Sequence, residues 1–147
     1  MKAKTTVVML VALSLLVVGC IGGDDGGDDV TKEEFIEAAD AICADFTEQL
    51  DEVTANLPAD ASIEAAAEVL LDDALPLFRA QIDELRELDL PADDADELEQ
   101  LWDDLDAETD RLEAALEDDP ESALVEDTFV DENAFAEEYG MQECGGE

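Results

Sequence analysis

The sequence predicts an all-α fold, an antiparallel up-down four-helix bundle over residues 31–147, and three observations predict it. Apolar residues recur at steps of three and four through most of that span, the period of a helix with one buried face. Prolines at 58, 91 and 120 cut the pattern into four stretches with short connections, which favours antiparallel neighbours. No segment alternates apolar and polar residues long enough to make a strand.

The first helix opens at Thr31-Lys32-Glu33-Glu34, a capping box in which Thr31 and Glu34 satisfy amides that a helix start leaves free. Its stripe is Phe35, Ala39, Ile42, Phe46, Leu50, Val53 and Leu57. The second carries Ile63, Ala67, Leu70, Ala74, Leu77, Phe78, Ile82, Leu85 and Leu88. Pro76 lies inside it, lacks an amide hydrogen and crowds the preceding turn, so a kink or a break is expected there. The third runs from about Asp94 to Glu117 with Leu98, Leu101, Trp102, Leu105, Leu112 and Leu116 on one face. The fourth takes Asp119 as its cap and Pro120 as its first residue. It is expected to continue through Leu124, Val125, Phe129, Ala134 and Phe135 to Tyr139, where Gly140 supplies a stop.

Charge sets the conditions under which such a bundle can hold. All 44 acidic residues lie at or beyond Asp24, and beyond residue 20 only Lys32, Arg79, Arg86 and Arg111 oppose them, leaving −40 on the side chains. A chain so charged repels phosphate backbones and anionic lipid headgroups, which excludes nucleic acid as a partner. Acids three or four apart, such as Asp93 with Glu97 and Asp104 with Glu108, each cost a helix about 0.2–0.5 kcal/mol. Opposite pairs such as Asp83 with Arg86 and Glu108 with Arg111 are too few to offset them. Adaptation to high salt is the economical explanation, because the Debye length falls to about 3 Å at 1 M. A dedicated cation-binding surface is the second reading, and the spread of the acids along the chain disfavours it. Crowded carboxylates are also expected to have raised pKa values and to make mild acidification stabilising. All seven aromatics lie beyond residue 30, so residues 31–147 have the means to bury a modest core despite the charge.

The start of the chain has a different composition. Lys2 and Lys4 precede an uncharged apolar run, Thr5 to Val18, which is short for a membrane span. The run ends in Val17-Val18-Gly19-Cys20, which resembles the lipobox of bacterial lipoproteins. That resemblance implies a signal peptide over residues 1–19, cleavage before Cys20 and a diacylglycerol on its sulfur. Residues 20–30 then form a flexible tether of glycine and aspartate. Its aspartates lack the alternating spacing and terminal glutamate of an EF-hand loop. The chain is thus expected on the extracytoplasmic face of the cell membrane, held there by the lipid on Cys20.

With Cys20 lipidated, Cys43 and Cys144 remain, an even number in an oxidising compartment. At ~1.5 Å per residue Cys43 stands roughly 18 Å above the start of its helix, and a descending fourth helix brings Cys144 within about two turns of that level. A structural disulfide linking the two ends is expected; a redox or metal-binding pair is disfavoured, since the chain has neither a Cys-x-x-Cys motif nor any histidine.

Phe35-Ile36-Glu37-Ala38-Ala39-Asp40-Ala41-Ile42-Cys43 and Tyr139-Gly140-Met141-Gln142-Glu143-Cys144-Gly145 resemble the ends of small secreted or lipid-anchored helical proteins of actinobacteria. In those proteins Ala-Asp-x-Ile-Cys and Gly-x-x-x-Cys motifs bracket a helical domain. The resemblance covers most of Glu33 to Gly145, with its specific part at the two ends. It implies a cysteine pair joining the ends and brings no assigned activity. The acidity departs from that pattern; haloarchaeal lipoproteins share it, together with a similar lipobox.

Beyond residue 20 the only serines are Ser62 and Ser122, neither in a Gly-x-Ser-x-Gly turn, so no residue is assigned a catalytic role. No cofactor or metal is expected. Trp102, Phe46, Phe78 and Phe135 lie on apolar stripes and are expected in the core rather than around a ligand. Two non-enzymatic functions are expected: a binding or adaptor module for an envelope protein or a cationic solute, or an acidic spacer that protects or organises the envelope. An exposed apolar groove favours the first, and a uniformly acidic surface with every aromatic buried favours the second.

Cells producing the Cys20→Ser protein and fed a radioactive fatty acid should put no label into it, whereas the natural protein should be labelled; equal labelling contradicts the lipid anchor.

Overall fold

The computed structural model describes residues 30–58 and 60–145, and every regular element among them is helical. Cys20, the expected signal peptide and most of the tether lie outside the described residues. The elements are α1 (Lys32–Ala55), α2 (Ile63–Val69), a π-helical turn (Leu70–Ala74), α3 (Leu75–Arg86), α4 (Ala95–Asp118), α5 (Pro120–Ala123) and α6 (Val130–Tyr139). None of the described helices is long and apolar enough to cross a membrane.

Local signals place most helix ends. Thr31 caps α1 by accepting the Glu34 amide at 3.2 Å, and the Glu34 carboxylate accepts the Thr31 amide at 3.0 Å. Ser62 accepts the Ala65 amide at the start of α2, and Asp119 accepts the Ser122 amide ahead of Pro120. Gly140 adopts φ 110°, beyond the reach of most side chains, and ends α6 in a Schellman turn. There the Met141 amide reaches the Ala136 carbonyl at 2.9 Å, and Met141, fully buried, seats the turn in the core.

Pro76 neither splits nor ends its helix, because residues 63–86 stay helical throughout. The amide of Leu75 bonds to Leu70, five residues back, so the turn before the proline widens. Widening relieves the clash that a proline ring makes with the carbonyl four residues earlier, here that of Asp72.

The expected single fourth helix is corrected to two pieces. α5 stops after one turn, residues 124–129 leave the helix, and α6 restarts at Val130. Phe129 takes the left-handed conformation, φ 58°, and lies with its ring centroid 4.9 Å from that of Phe78. A continuous helix would have carried Val125 and Phe129 on one face. The break lets Phe129 turn to α3 while Val125 remains 81% exposed.

Two apolar clusters result. The main core joins Phe35, Ala39 and Cys43 of α1, Ile82 and Leu85 of α3, Leu98, Leu101 and Trp102 of α4, and Ala136, Tyr139 and Met141. A smaller one gathers Ala67, Leu75, Leu116 and Ala123. The expected bridge is present: Cys43 and Cys144 are disulfide-bonded with Cα atoms 5.1 Å apart, across 101 positions of sequence. Beside it the Glu143 amide donates to Asp40 at 3.0 Å. Tyr139 ties α6 to the starts of α1 and α4. Its hydroxyl donates to Asp94 at 2.7 Å, its ring meets Phe35 edge-on, and the Lys32 ammonium lies 3.6 Å above it. Burial, and then the neighbouring Asp94 carboxylate, hold the phenol above its ordinary pKa.

The three arginines stand on α3 and α4. Arg79 bonds Asp110 at 2.9 Å and Glu113 at 2.6 Å, and Arg86 bonds Asp103 at 3.0 Å and also Asp106. The expected Asp83–Arg86 pair is thereby corrected: Arg86 reaches across to α4, where two carboxylates one turn apart fit a forked guanidinium better than one neighbour does. Arg111 pairs with Glu108 within α4, as expected. Each exposed pair contributes at most about 1 kcal/mol, yet together they draw carboxylates toward a seam that like charge would open.

Three carboxylates with displaced pKa values run against the crowding expectation. Glu34 is lowered by the Thr31 backbone and hydroxyl, Glu64 by its own backbone amide and then Ser62, and Asp119 by the Ser122 hydroxyl and then its amide. A depressed carboxylate contributes stability above its unfolded pKa and loses it as pH falls through the folded one. Below about pH 4, near the ordinary carboxylate range, these caps therefore weaken. Long-range repulsion remains the salt-dependent term. Circular dichroism melts of the chain beyond Cys20 should show a markedly higher melting temperature in molar salt than in 0.01 M salt, and a fall below pH 4. Indifference to salt contradicts the repulsion argument.

Candidate ligand cavity

The faces that build the main core do not close completely. α1 supplies Cys43, Phe46, Thr47 and Leu50, and α3 supplies Phe78, Gln81, Ile82 and Leu85, each set at steps of three and four. Leu101, Trp102 and Leu105 of α4 form a third wall. The C-terminal segment adds Phe129, Glu132, Asn133 and Ala136, then Met141, Glu143 and Cys144. Between them is a mainly apolar cavity of about 260 Å³, with the disulfide in its wall. For scale, an engineered apolar cavity of about 150 Å³ is known to take up benzene.

Aromatic contacts run along one side. Phe46 and Phe78 have ring centroids 5.6 Å apart, and Phe78 then meets Phe129 edge-on. All three rings are half-buried. Trp102 is only 3% exposed and serves both core and cavity wall. The aromatics expected purely as core therefore divide: Trp102, Phe46 and Phe78 line the cavity, whereas Phe135 stacks on Tyr139 elsewhere.

Two polar side chains in this wall are incompletely bonded within the protein. Gln81, 8% exposed, leaves its amide oxygen without a partner, and its nitrogen donates only to the Cys43 sulfur at 3.1 Å. The Trp102 indole N–H is also buried without a partner. A buried polar group left unpaired costs about 1–3 kcal/mol, and neither atom reaches the cavity surface as it stands, so only a turn of the flexible Gln81 amide would bring one of them to a ligand. Thr47 differs, since its hydroxyl already donates to the Cys43 carbonyl at 3.0 Å. The ionisable lining residues are Glu132 and Glu143, with no basic side chain among them.

Cys43 and Cys144, a structural pair from the sequence, are joined in the structure. Gln81, Phe129 and Asn133 line the cavity without any site assignment from the sequence, where Phe129 belongs only to the stripe of the expected fourth helix. Gln81 did leave a signal, as the one amide inside the apolar run Phe78, Ile82, Leu85 at helical spacing. Among the described residues no three or more His, Cys, Asp or Glu side chains gather where they could hold a metal ion. An apolar interior with unpartnered polar groups is suited to holding a small molecule.

In comparisons with known proteins, no family model, no curated protein and no solved structure matches the chain.

Proposed function

We propose that the chain is a non-enzymatic binding module, tethered by the lipid on Cys20 to the extracytoplasmic face of the membrane and adapted to high salt. In this reading residues 31–147 form an up-down bundle in which α5 and α6 together take the place of a fourth helix. The observation that carries binding is the cavity: half-buried aromatics around an apolar interior, with an unpartnered polar atom buried behind the surface in each of two lining residues, Gln81 and Trp102. A chain selected only as a spacer gains nothing from leaving such groups unpaired, since filling the space with leucine would be more stable. The leader and the Gly/Asp tether support the location, and the excess of acids supports the salt adaptation.

The second reading, an acidic spacer or protective envelope component, draws on the solvent faces of the long helices. Acidic residues dominate these, as along the exposed side of α4.

Native mass spectrometry of protein extracted from its own membranes at high salt, with crosslinking on the same membranes, separates the two. The module should carry a small-molecule adduct or give a defined crosslinked partner, and Ala136→Phe, which fills the cavity, should lose it. Bare mass throughout, with only diffuse crosslinking, favours the spacer instead.

A further inference from the structure

Each wall of the cavity limits the class of ligand it accepts. The aromatic side, Phe46, Phe78 and Phe129, calls for an apolar body and also tolerates positive charge, because a ring face is the negative end of its quadrupole. The unpartnered Gln81 oxygen is an acceptor, so it calls for an N–H or O–H donor. Glu132 and Glu143 are the charged lining groups, both negative, and no lining lysine or arginine balances them. The field of the whole chain has the same sign. Anions such as carboxylates and phosphates are therefore disfavoured at every step of entry.

We propose that the cavity binds a small organic ammonium with an apolar body, seated among Phe46, Phe78 and Phe129 and recognised by the Gln81 amide oxygen and the Glu132 and Glu143 carboxylates. This rests on the reading of the cavity as a binding site and specifies its ligand. The volume, about 260 Å³, limits the body to little more than one aromatic ring or a short branched alkyl chain. The Gln81 oxygen is buried within the wall, so meeting it takes a turn of the amide away from Cys43. The bond given up is weak, since a sulfur is a poor acceptor. An inorganic cation answers this site poorly, because among the described residues no three His, Cys, Asp or Glu side chains gather where they could hold one.

Trp102 is the only tryptophan of the chain and lines the cavity, so its fluorescence reports occupancy directly. The full lipidated chain in molar salt would be titrated with phenethylammonium, uncharged propylbenzene, anionic 3-phenylpropionate and methylammonium. Phenethylammonium should bind about tenfold or more tighter than propylbenzene, as a charge-assisted hydrogen bond implies, and 3-phenylpropionate and methylammonium should give no saturable signal. Gln81→Leu and the pair Glu132→Gln with Glu143→Gln should each reduce the preference for the ammonium while leaving propylbenzene binding in place, which also shows that the variants fold. Equal affinity for phenethylammonium and propylbenzene overturns the ammonium inference and leaves the cavity a binding site. A response reproduced by methylammonium assigns the effect to the acidic surface and overturns it too. Failure of every probe removes the inference together with the cavity reading on which it rests.

Discussion

Among the described residues the Cys43–Cys144 bond is the one covalent link between distant parts of the chain, and the arrangement around it depends on that. The rest of the tertiary structure is held by an apolar core of moderate size against the repulsion of a chain carrying 44 acidic side chains. Removing the freedom of a loop this long contributes up to about 4–5 kcal/mol in the chain-entropy account, a large part of an ordinary domain's stability. The bond is placed where the chain most needs it. α6 is ten residues long and enters through a left-handed residue, so it has little intrinsic tendency to stay. Tied at Cys144, the segment brings Ala136, Tyr139 and Met141 into the core formed by α1 and α4.

The same constraint explains how the few cations are used. Arg79 and Arg86 each bridge α3 to two carboxylates of α4, and Lys32 lies over Tyr139 where the C-terminal segment meets α1. These contacts sit at helix junctions rather than being distributed to neutralise the surface. Tyr139 shows the principle in one side chain. Asp94 makes no capping bond to its own helix and instead accepts the Tyr139 hydroxyl, so a carboxylate becomes a tertiary contact. The cavity lies next to this tied segment and has the disulfide in its wall.

What the sequence made legible was local. The Thr31–Glu34 capping box, the Asp119-Pro120 start and the Gly140 stop depend on a handful of neighbouring atoms, and each forms as read. Proline chemistry forbids one hydrogen bond at Pro76 but does not say how the chain reroutes, and the π-helical turn is one of several solutions. The break at Phe129 was not legible, because the gain from meeting Phe78 lies 51 positions away in sequence. Arg86 illustrates the same point: the i,i−3 partner Asp83 was visible, and the better pair of carboxylates on α4 was not. Of the cavity, the sequence showed the aromatics and one amide out of place in an apolar stripe. It did not show that the stripes leave a space between them.

If the disulfide holds the C-terminal segment against repulsion, its removal should be felt most where screening is least. The direct measurement is the melting temperature and Trp102 emission of the natural protein and of the Cys43→Ala, Cys144→Ala pair, each in dilute and in molar salt. The pair should melt lower by about 10 °C or more, with the larger difference in dilute salt and a Trp102 spectrum shifted toward that of exposed indole. Equal melting temperatures and unchanged Trp102 emission at both salt concentrations would contradict the account.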